Sequence, residues 1–244
     1  MTEQVIDRRN LLKTGALLTA GAAALGSTSA TAQALAAPPP SFISGPAYMP
    51  QPLVLPFDPK TITGLSEKLL VSHHDNNYVG AVKRLGAIES QLAALNPSTA
   101  PNFNLNGLKR EELLAWNSMI LHEVYFAGLG SPNRPGAPLV SAIEHSFGSE
   151  GRWRNEFAAM GKALGGGSGW VVLTYSHRDN RLVNQWAADH TMALAGATPI
   201  LVLDMYEHAY AMDFGAKAAA YVDAFMATVN WSSADRLFAR ASAT

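Results

Sequence analysis

The 244-residue chain contains no cysteine, which excludes disulfides, thiolate metal sites and cysteine nucleophiles. Charge is also scarce: charged residues make up 15% of the sequence and the formal net charge is −1, so nothing favours a nucleic-acid or membrane-surface partner. Apolar residues are plentiful at 48%, enough for one large domain or two small ones. A metal site in this chain must therefore use histidine and carboxylate ligands, which suit iron, manganese or zinc.

The N-terminal segment has the pattern of an export signal. Arg8 and Arg9 precede a short, weakly apolar run rich in Gly, Ala and Thr, and Ala-x-Ala sequences follow at residues 30–32 and 32–34. Such a run is a poor membrane anchor. We therefore expect residues 1–36 to be a cleaved twin-arginine signal, which predicts a periplasmic or extracellular protein without a membrane attachment after cleavage.

The remaining chain divides into three parts by composition and periodicity. We expect a proline-rich arm over residues 37–59, a helical hairpin domain over 60–133 and a C-terminal α+β domain over 134–244. Ser66 is a suitable N-cap for the first hairpin helix, and the turn-rich NPSTAPNFNLNG separates it from a second helix beginning at KREELL.

The C-terminal pattern predicts two short helices, two strands around a turn at residues 178–180, a third strand in PILVLDMY and one closing helix in AKAAAYVDAFMATV. The predicted fold class is α+β. An N-terminal antiparallel helical hairpin precedes an α/β half that is built on a three-stranded antiparallel sheet.

Several of the seven histidines fall where a metal site could form. Asp204 ends the apolar third strand, where an unpaired carboxylate is costly, and His208 follows four residues later. His122 lies on the apolar stripe of the second helix, while His73 and His74 belong to the first. Each residue alone is more often a capping or core residue, but together they predict a site between the helices and the strand end.

Four motifs then give the chain a family resemblance. DMYEHAY, TVNW, FGS and GSGWVVL are in the order found in iron/manganese superoxide dismutases, and the resemblance extends over about residues 55–240. It implies superoxide as substrate and one iron or manganese ion per subunit, bound by three His, one Asp and a solvent molecule. His122, Asp204 and His208 match ligands by position. Glu207 matches an acid that bonds a ligand His across the subunit interface, which implies a homodimer through Glu207 and His208.

The resemblance also assigns roles to residues around the metal. Trp170 matches the tryptophan of the cavity wall, and Ser118 stands where a residue helps to set the metal preference. Tyr78 matches a channel tyrosine. His190 matches the position at which one branch of the family carries a His that bonds the metal-bound solvent. Tyr78 and His190 are thereby the expected catalytic residues.

The first ligand motif departs from the family pattern, in which the ligand stands eight residues before the tyrosine. Here that position is Leu70, which cannot bind a metal. Counting forward from the Ser66 cap gives His73, whereas counting by helical face at about 100° per residue favours His74, on the same face as Tyr78.

Two other functions therefore stay open beside the dismutase. One is a metal-poor relative with a binding or structural role. The other is an iron oxygenase with two His and one carboxylate as ligands, should the first helix supply no ligand. The sequence also leaves open iron against manganese and dimer against tetramer.

Overall fold

A computed structural model of the chain describes residues 44–243. The expected signal at residues 1–36 and the first part of the arm lie outside the described residues. The helical half consists of α1 (Glu67–Ser72), a π-helical turn (His73–Tyr78), α2 (Val79–Ala94) and α3 (Asn102–Ala127), and a short 3-10 turn (Pro59–Thr61) precedes it. The first three pieces follow one another directly, and α3 packs against α2, so they form the expected hairpin.

The first hairpin helix changes its geometry in the SHHDNNY stretch. Ser66 caps α1 as predicted, because its hydroxyl accepts a hydrogen bond from the Leu69 N–H at 3.1 Å. The backbone then widens, and the Val79 N–H bonds the carbonyl of His74, five residues earlier. A constant rotation of about 100° per residue holds only for an α-helix, so it does not apply through this turn.

The second helix begins earlier than the sequence predicts. It starts at Asn102, so residues 95–101 alone form the connector, and NFNLNG belongs to α3. The carbonyl of Pro101 accepts a hydrogen bond from the Asn104 N–H at 2.9 Å, which starts the helix. Gly107 is tolerated inside α3, although glycine in a polar stretch is a usual sign of a loop.

The C-terminal half contains the two predicted short helices and three strands. They are α4 (Ala137–Phe147), α5 (Glu150–Ala163), β1 (Trp170–Ser176), β2 (Arg181–Ala187) and β3 (Ala197–Asp204). The FGS motif joins the two helices. Gly148 ends α4 in a left-handed conformation at φ 85°, and the Ser149 hydroxyl caps α5 by accepting from the Arg152 N–H at 3.1 Å.

The sheet is antiparallel with the strand order β2-β1-β3. Trp170, the first residue of β1, pairs with Ala187 on one side and with Asp204 on the other. Gly169 allows this close approach, since its φ is 136° and a Cβ there would stand 2.2 Å from the carbonyl oxygen of Ala187. The end of β3 and the start of β1 thus meet at one edge of the sheet.

The chain closes with more helix than predicted. A 3-10 turn (Glu207–Ala209) leads to α6 (Ala211–Phe214), α7 (Ala218–Thr228) and α8 (Trp231–Ser242), whereas the sequence pattern gave one closing helix. The TVNW motif separates the last two. The Asn230 side chain caps α8 through the Ser232 N–H at 3.0 Å, and the Trp231 ring packs edge-on against Trp153 at 5.1 Å.

One continuous apolar core links the hairpin to the sheet, and α3 packs directly on β3. The boundary near residue 133 between a hairpin domain and an α+β domain stays a prediction. Within residues 44–243, no helix is both long enough and apolar enough to cross a membrane.

Candidate metal centre

Four side chains from four different segments meet in the core. They are His73 from the π-helical turn, His122 from α3, Asp204 from the end of β3 and His208 from the 3-10 turn after it. One nitrogen or carboxylate oxygen from each lies within 4.8 Å of the others. Three of the four residues are buried, and His208 is partly buried.

The carboxylate of Asp204 is the centre of this cluster. Its Oδ2 lies 3.1 Å from His73 Nε2, 3.3 Å from His208 Nε2 and 3.6 Å from His122 Nε2. Its Oδ1 accepts a hydrogen bond from the Tyr206 N–H at 2.8 Å. Burial alone would raise the pKa of Asp204, but attraction to the neighbouring His208 and His73 rings outweighs it and holds the pKa well below its usual range. Asp204 is therefore an anion in the cluster.

The hydrogen bonds of His122 fix which nitrogen faces the cluster. Its Nδ1 donates to the carbonyl of Ser118 at 2.6 Å, so the neutral ring carries its lone pair on Nε2. Burial lowers the pKa of His122 to about 3, which keeps the ring neutral. The Nε2 lone pair and the Asp204 oxygen are then two buried acceptors that face each other, an arrangement that a cation stabilises.

The donor set fits iron or manganese. His122 Nε2 and His208 Nε2, which face Asp204, are buried nitrogens without a hydrogen-bond partner in the described part of the chain, and His73 Nε2 faces the same carboxylate. Burial also lowers the pKa of His73. Neutral imidazoles with one carboxylate are ligands that these two metals, and zinc, accept.

The structure brings His73 to the cluster and leaves His74 outside it, which corrects the argument from helical faces. His74 and Tyr78 do share a face, with ring centroids 5.2 Å apart. That face, however, packs on the N-terminal arm. The Nε2 of His74 bonds the carbonyl of Leu53 at 2.9 Å and its Nδ1 bonds Asp75 at 2.8 Å, so both nitrogens are engaged. The π-helical turn is the reason why an α-helical count does not predict which of the two histidines joins the cluster.

The ring of Tyr78 lies near the cluster, with its centroid 6.4 Å from that of His122, but its hydroxyl bonds residues outside the cluster. It is buried, and its hydroxyl accepts from the Leu53 N–H at 2.8 Å while it donates to Glu123 at 2.9 Å. Both partners lie on the side of the arm. Since the hydroxyl is occupied there, the geometry gives no support to a catalytic role for Tyr78.

His190 lies beside the cluster, in the loop after β2. The Trp170 indole N–H donates to His190 Nδ1 at 3.0 Å, so the neutral His190 ring carries its hydrogen on Nε2. Burial lowers the pKa of His190, which favours this neutral form. Trp170 itself is fully buried and stands edge-on to His122, with centroids 5.1 Å apart. One residue thus forms a wall of the site and also sets the tautomer of His190.

Aromatic contacts that the sequence reasoning missed support the cluster. Tyr206 stacks between His190 and His208, with centroids 4.9 and 5.3 Å away and planes within 16° of parallel. The position of Tyr206 inside DMYEHAY, between two cluster residues, could have indicated from the sequence that it contacts the cluster. Tyr221 donates from its hydroxyl to the backbone carbonyl of Asp204 at 2.8 Å, a long-range contact that no local pattern indicates.

Ser118 and Glu207 are each close in sequence to a cluster histidine, but Ser118 is buried and Glu207 is exposed. Ser118 is buried one turn before His122 and orients it, through its carbonyl and through a hydroxyl 3.4 Å from Nδ1. Glu207 is exposed at the start of the 3-10 turn, directly before His208, and its carboxylate forms no ion pair within residues 44–243.

A cleft of about 300 Å³ is lined by Ser118 and His190, which neighbour the cluster. The π-helical turn, α2 and α3 form its walls. Ser118 and His190 lie at the end nearest the cluster, and Arg84 also lines it.

Comparison with known proteins agrees with this geometry. Residues 135–237 match the family described as iron/manganese superoxide dismutases, C-terminal domain. The chain is 66% identical over 184 residues to the superoxide dismutase [Fe] of Cupriavidus metallidurans, covering 75% of this chain and 93% of that protein. It is 32% identical over 191 residues to the superoxide dismutase [Fe] of Aquifex pyrophilus, covering 75% and 88%.

A manganese relative is similar to the same extent. The chain is 32% identical over 192 residues to superoxide dismutase [Mn] 1 of Halobacterium salinarum, covering 77% of this chain and 94% of that protein. The matches extend over most of each relative's length, and Asp204 and His208 lie within the residues that match the family model. The chain belongs to the iron/manganese superoxide dismutase family.

Proposed function

We propose that this protein is a superoxide dismutase, in which His73, His122, Asp204 and His208 hold one iron or manganese ion per subunit. The observation that carries the proposal is the buried three-His, one-Asp cluster with its unpartnered nitrogens. The relatives named for iron and for manganese support both metals, and the iron enzyme at 66% identity makes iron the first metal to test.

The overall reaction consumes two superoxide ions and two protons and yields O2 and hydrogen peroxide. When bound, iron or manganese supplies the alternation between 3+ and 2+ states, through which one superoxide is oxidised and the next is reduced. Asp204 is the single anionic donor, and the three imidazoles are neutral. The loaded site therefore keeps a net positive charge, which attracts the anionic substrate.

His190 is the residue that we assign to the proton side of the reaction. Because Trp170 donates to Nδ1, the Nε2–H of His190 is held as a hydrogen-bond donor next to the cluster. Trp170 excludes water by its burial and fixes this tautomer. Ser118 keeps His122 in the tautomer that leaves Nε2 free. A hydrogen bond of this kind, made by the ring nitrogen that does not face the metal, raises the basicity of the ligand.

The alternative functions now have less support. The hypothesis of a metal-poor relative rested on Leu70 at the expected ligand position, and the position of His73 in the cluster argues against it. A two-His, one-carboxylate oxygenase required the absence of a ligand from the first helix, whereas His73 lies 3.1 Å from Asp204.

We also propose that the protein is a homodimer, with Glu207 reaching toward His208 of the partner subunit. The exposed carboxylate of Glu207 and the 27% exposure of the His208 side chain support an interface at this turn. Export through the twin-arginine pathway to the periplasm or the exterior is a further proposal, supported by the sequence of residues 1–36 alone.

The test of the function measures metal content and superoxide decay on the same purified protein. We expect close to one iron or manganese per chain and a rapid decay that the metal-free protein does not produce. An Asp204→Ala variant controls for adventitious metal, since it removes the central carboxylate. The proposal fails if the protein holds less than about 0.2 metal per chain after expression with both metals. It also fails if the loaded protein does not accelerate the decay.

A further inference from the structure

The described part of the N-terminal arm lies against the hairpin and contacts both of its helices. The Tyr48 ring stacks on Trp116 of α3, with centroids 5.1 Å apart and planes 18° from parallel. The sulfur of Met49 lies 3.7 Å from the Ser90 hydroxyl of α2. The arm is therefore seated on both helices before it reaches the π-helical turn.

Leu53 joins the arm to the π-helical turn by two backbone hydrogen bonds. Its carbonyl accepts from His74 Nε2 at 2.9 Å, and its N–H donates to the Tyr78 hydroxyl at 2.8 Å. The turn runs from His73 to Tyr78, so the two bonded side chains stand near its two ends. One residue of the arm thus holds the turn at both ends.

The attachment continues from the turn to the helix that carries a metal ligand. The Tyr78 hydroxyl donates to Glu123 of α3 at 2.9 Å, and Glu123 follows His122 directly. A cavity of about 100 Å³ separates the arm from the hairpin at this point, and its lining includes Leu53 and Phe126. The arm, the turn and α3 are thus connected beside the metal cluster.

The two neighbouring histidines of the turn have separate partners. His73 Nε2 faces Asp204 in the cluster at 3.1 Å, whereas His74 Nε2 bonds Leu53 in the arm at 2.9 Å. Both rings pack against Phe126, with centroids 5.0 and 5.5 Å away. The rotation of the turn about its axis therefore decides both whether His74 reaches the arm and whether His73 reaches the cluster.

The π-helical geometry needs support from outside the turn, because π-helices are rare and the backbone alone does not favour them. If the turn returned to α geometry, the residues before it would rotate against those after it by about 100°, the angle of one residue in an α-helix. The two bonds to Leu53 and the contact of His73 with Asp204 thus require the same form of the turn.

We propose that Leu53 is a positioning residue of the metal centre, which bonds His74 and Tyr78 and so holds the turn in the form that points His73 at the metal. This inference rests on the proposed dismutase function and assigns no chemical step to the arm. Docking of the arm then raises the affinity for the metal. By thermodynamic reciprocity, metal binding must strengthen docking of the arm by the same factor.

The size of this coupling is bounded by the hydrogen bonds that carry it. The net contribution of one typical bond changes an equilibrium about two- to tenfold. Loss of a direct metal ligand should exceed about 100-fold. Variants of the arm are therefore purified with their metal, and their defect is measurable in competition with a chelator.

The first experiment measures the Mn²⁺ affinity of the full chain by competition with a chelator, followed to equilibrium. Leu53→Pro removes the N–H that donates to Tyr78, and Leu53→Ala is the matched control, because it shortens the side chain and keeps both backbone bonds. We expect the affinity to fall about two- to tenfold in Leu53→Pro and to be unchanged in Leu53→Ala. Wild-type affinity in Leu53→Pro, or an equal loss in Leu53→Ala, would overturn the proposal.

A double variant shows whether Leu53→Pro acts through the bond to Tyr78. Tyr78→Phe alone removes the hydroxyl and should lower the Mn²⁺ affinity at least as much as Leu53→Pro does. Because the bond is then already absent, adding Leu53→Pro to Tyr78→Phe should cause no further loss. A further loss as large as that of the single Leu53→Pro variant would place the effect elsewhere in the arm and refute the proposal.

Amide hydrogen exchange of the wild type tests the reverse direction of the coupling and requires no activity. Three of the residues 50–56 are prolines without an amide, and the N–H of Leu53 is the one in this segment that is bonded within the described part of the chain. We expect Mn²⁺ to slow the exchange of Leu53 by the factor found for the affinity, and to leave the peptide over the Pro59–Thr61 turn unchanged.

The outcomes separate this inference from the proposed function. A wild type that binds neither iron nor manganese refutes the dismutase function. A wild type that binds Mn²⁺ while Leu53 exchanges equally fast with and without the metal refutes the positioning role alone. A contact that only stabilised the fold would give this second result, since it would be equally strong in both forms.

Discussion

Replacing His73 and His74 separately by alanine distinguishes the two readings of the SHHDNNY stretch. His73 Nε2 stands 3.1 Å from Asp204 Oδ2, with both side chains fully buried. Loss of an outer partner of a metal ligand commonly lowers metal affinity about 10–100-fold. Loss of a direct ligand should lower it by at least the upper end of that range, so His73→Ala should be purified nearly free of metal.

His74→Ala should instead weaken the fold and keep the metal. It removes the bond from His74 to the Leu53 carbonyl at 2.9 Å, which contributes about 0.5–1.5 kcal/mol. It also removes a pair with Asp75, whose side chain is 64% exposed, so that this pair adds about 0–1 kcal/mol at most. We expect the free energy of unfolding to fall by about 1–2 kcal/mol.

The assay combines elemental analysis of both variants with urea unfolding of their metal-free forms. Metal-free protein is required because a bound metal stabilises the native state by mass action. His145→Ala is the control, since His145 is an exposed histidine on α4. A His74→Ala variant that loses its metal while His73→Ala retains it would refute the assignment of the first ligand.

Three further predictions follow from the contacts around the cluster. Trp170→Phe removes the donor to His190 Nδ1, and we expect slower superoxide decay at unchanged metal content, as measured on loaded protein; an unchanged rate would exclude a role for this bond. Tyr221→Phe removes the hydroxyl bond to the carbonyl of Asp204, and urea unfolding should show a loss of about 1–3 kcal/mol, whereas no loss would mean that water replaces the hydroxyl. Burial lowers the pKa of His122 from 6.5 to about 3, so between pH 6.5 and about 3 the unfolded chain binds a proton on His122 that the folded chain does not bind. Metal-free protein should therefore lose up to about 5 kcal/mol of stability as the pH falls from about 6.5 to about 3, and a stability that is flat over this range would contradict neutral burial of the ring.

The positions of Asp204 and His122 were predictable because both residues follow local sequence patterns. An apolar strand that ends in Asp204 leaves a carboxylate at the edge of the core, which is costly without a partner. The apolar stripe of the second helix likewise placed His122 inside, and it is buried against the cluster. Short apolar runs on both sides of a turn at residues 178–180 predicted two paired strands, and these strands do pair in the sheet.

The first ligand was not decided by sequence because the backbone geometry there is irregular. The residue types in SHHDNNY do not predict a π-helical turn, and the presence of this turn decides whether His73 or His74 faces the cluster. The partners of the Tyr78 hydroxyl were likewise not predictable, because it bonds the arm at Leu53, a contact 25 residues away in sequence. The start of α3 was misjudged because a polar stretch with glycine resembles a loop, while packing against α2 stabilises it as helix.

The most direct test of the account is a crystal structure of protein expressed with iron and manganese, with anomalous scattering recorded at the absorption edges of both metals. We expect one anomalous peak per chain, in bonding contact with His73, His122, Asp204 and His208. A peak bound by His74, or a well-ordered cluster without a peak in protein that consumes superoxide, would contradict it.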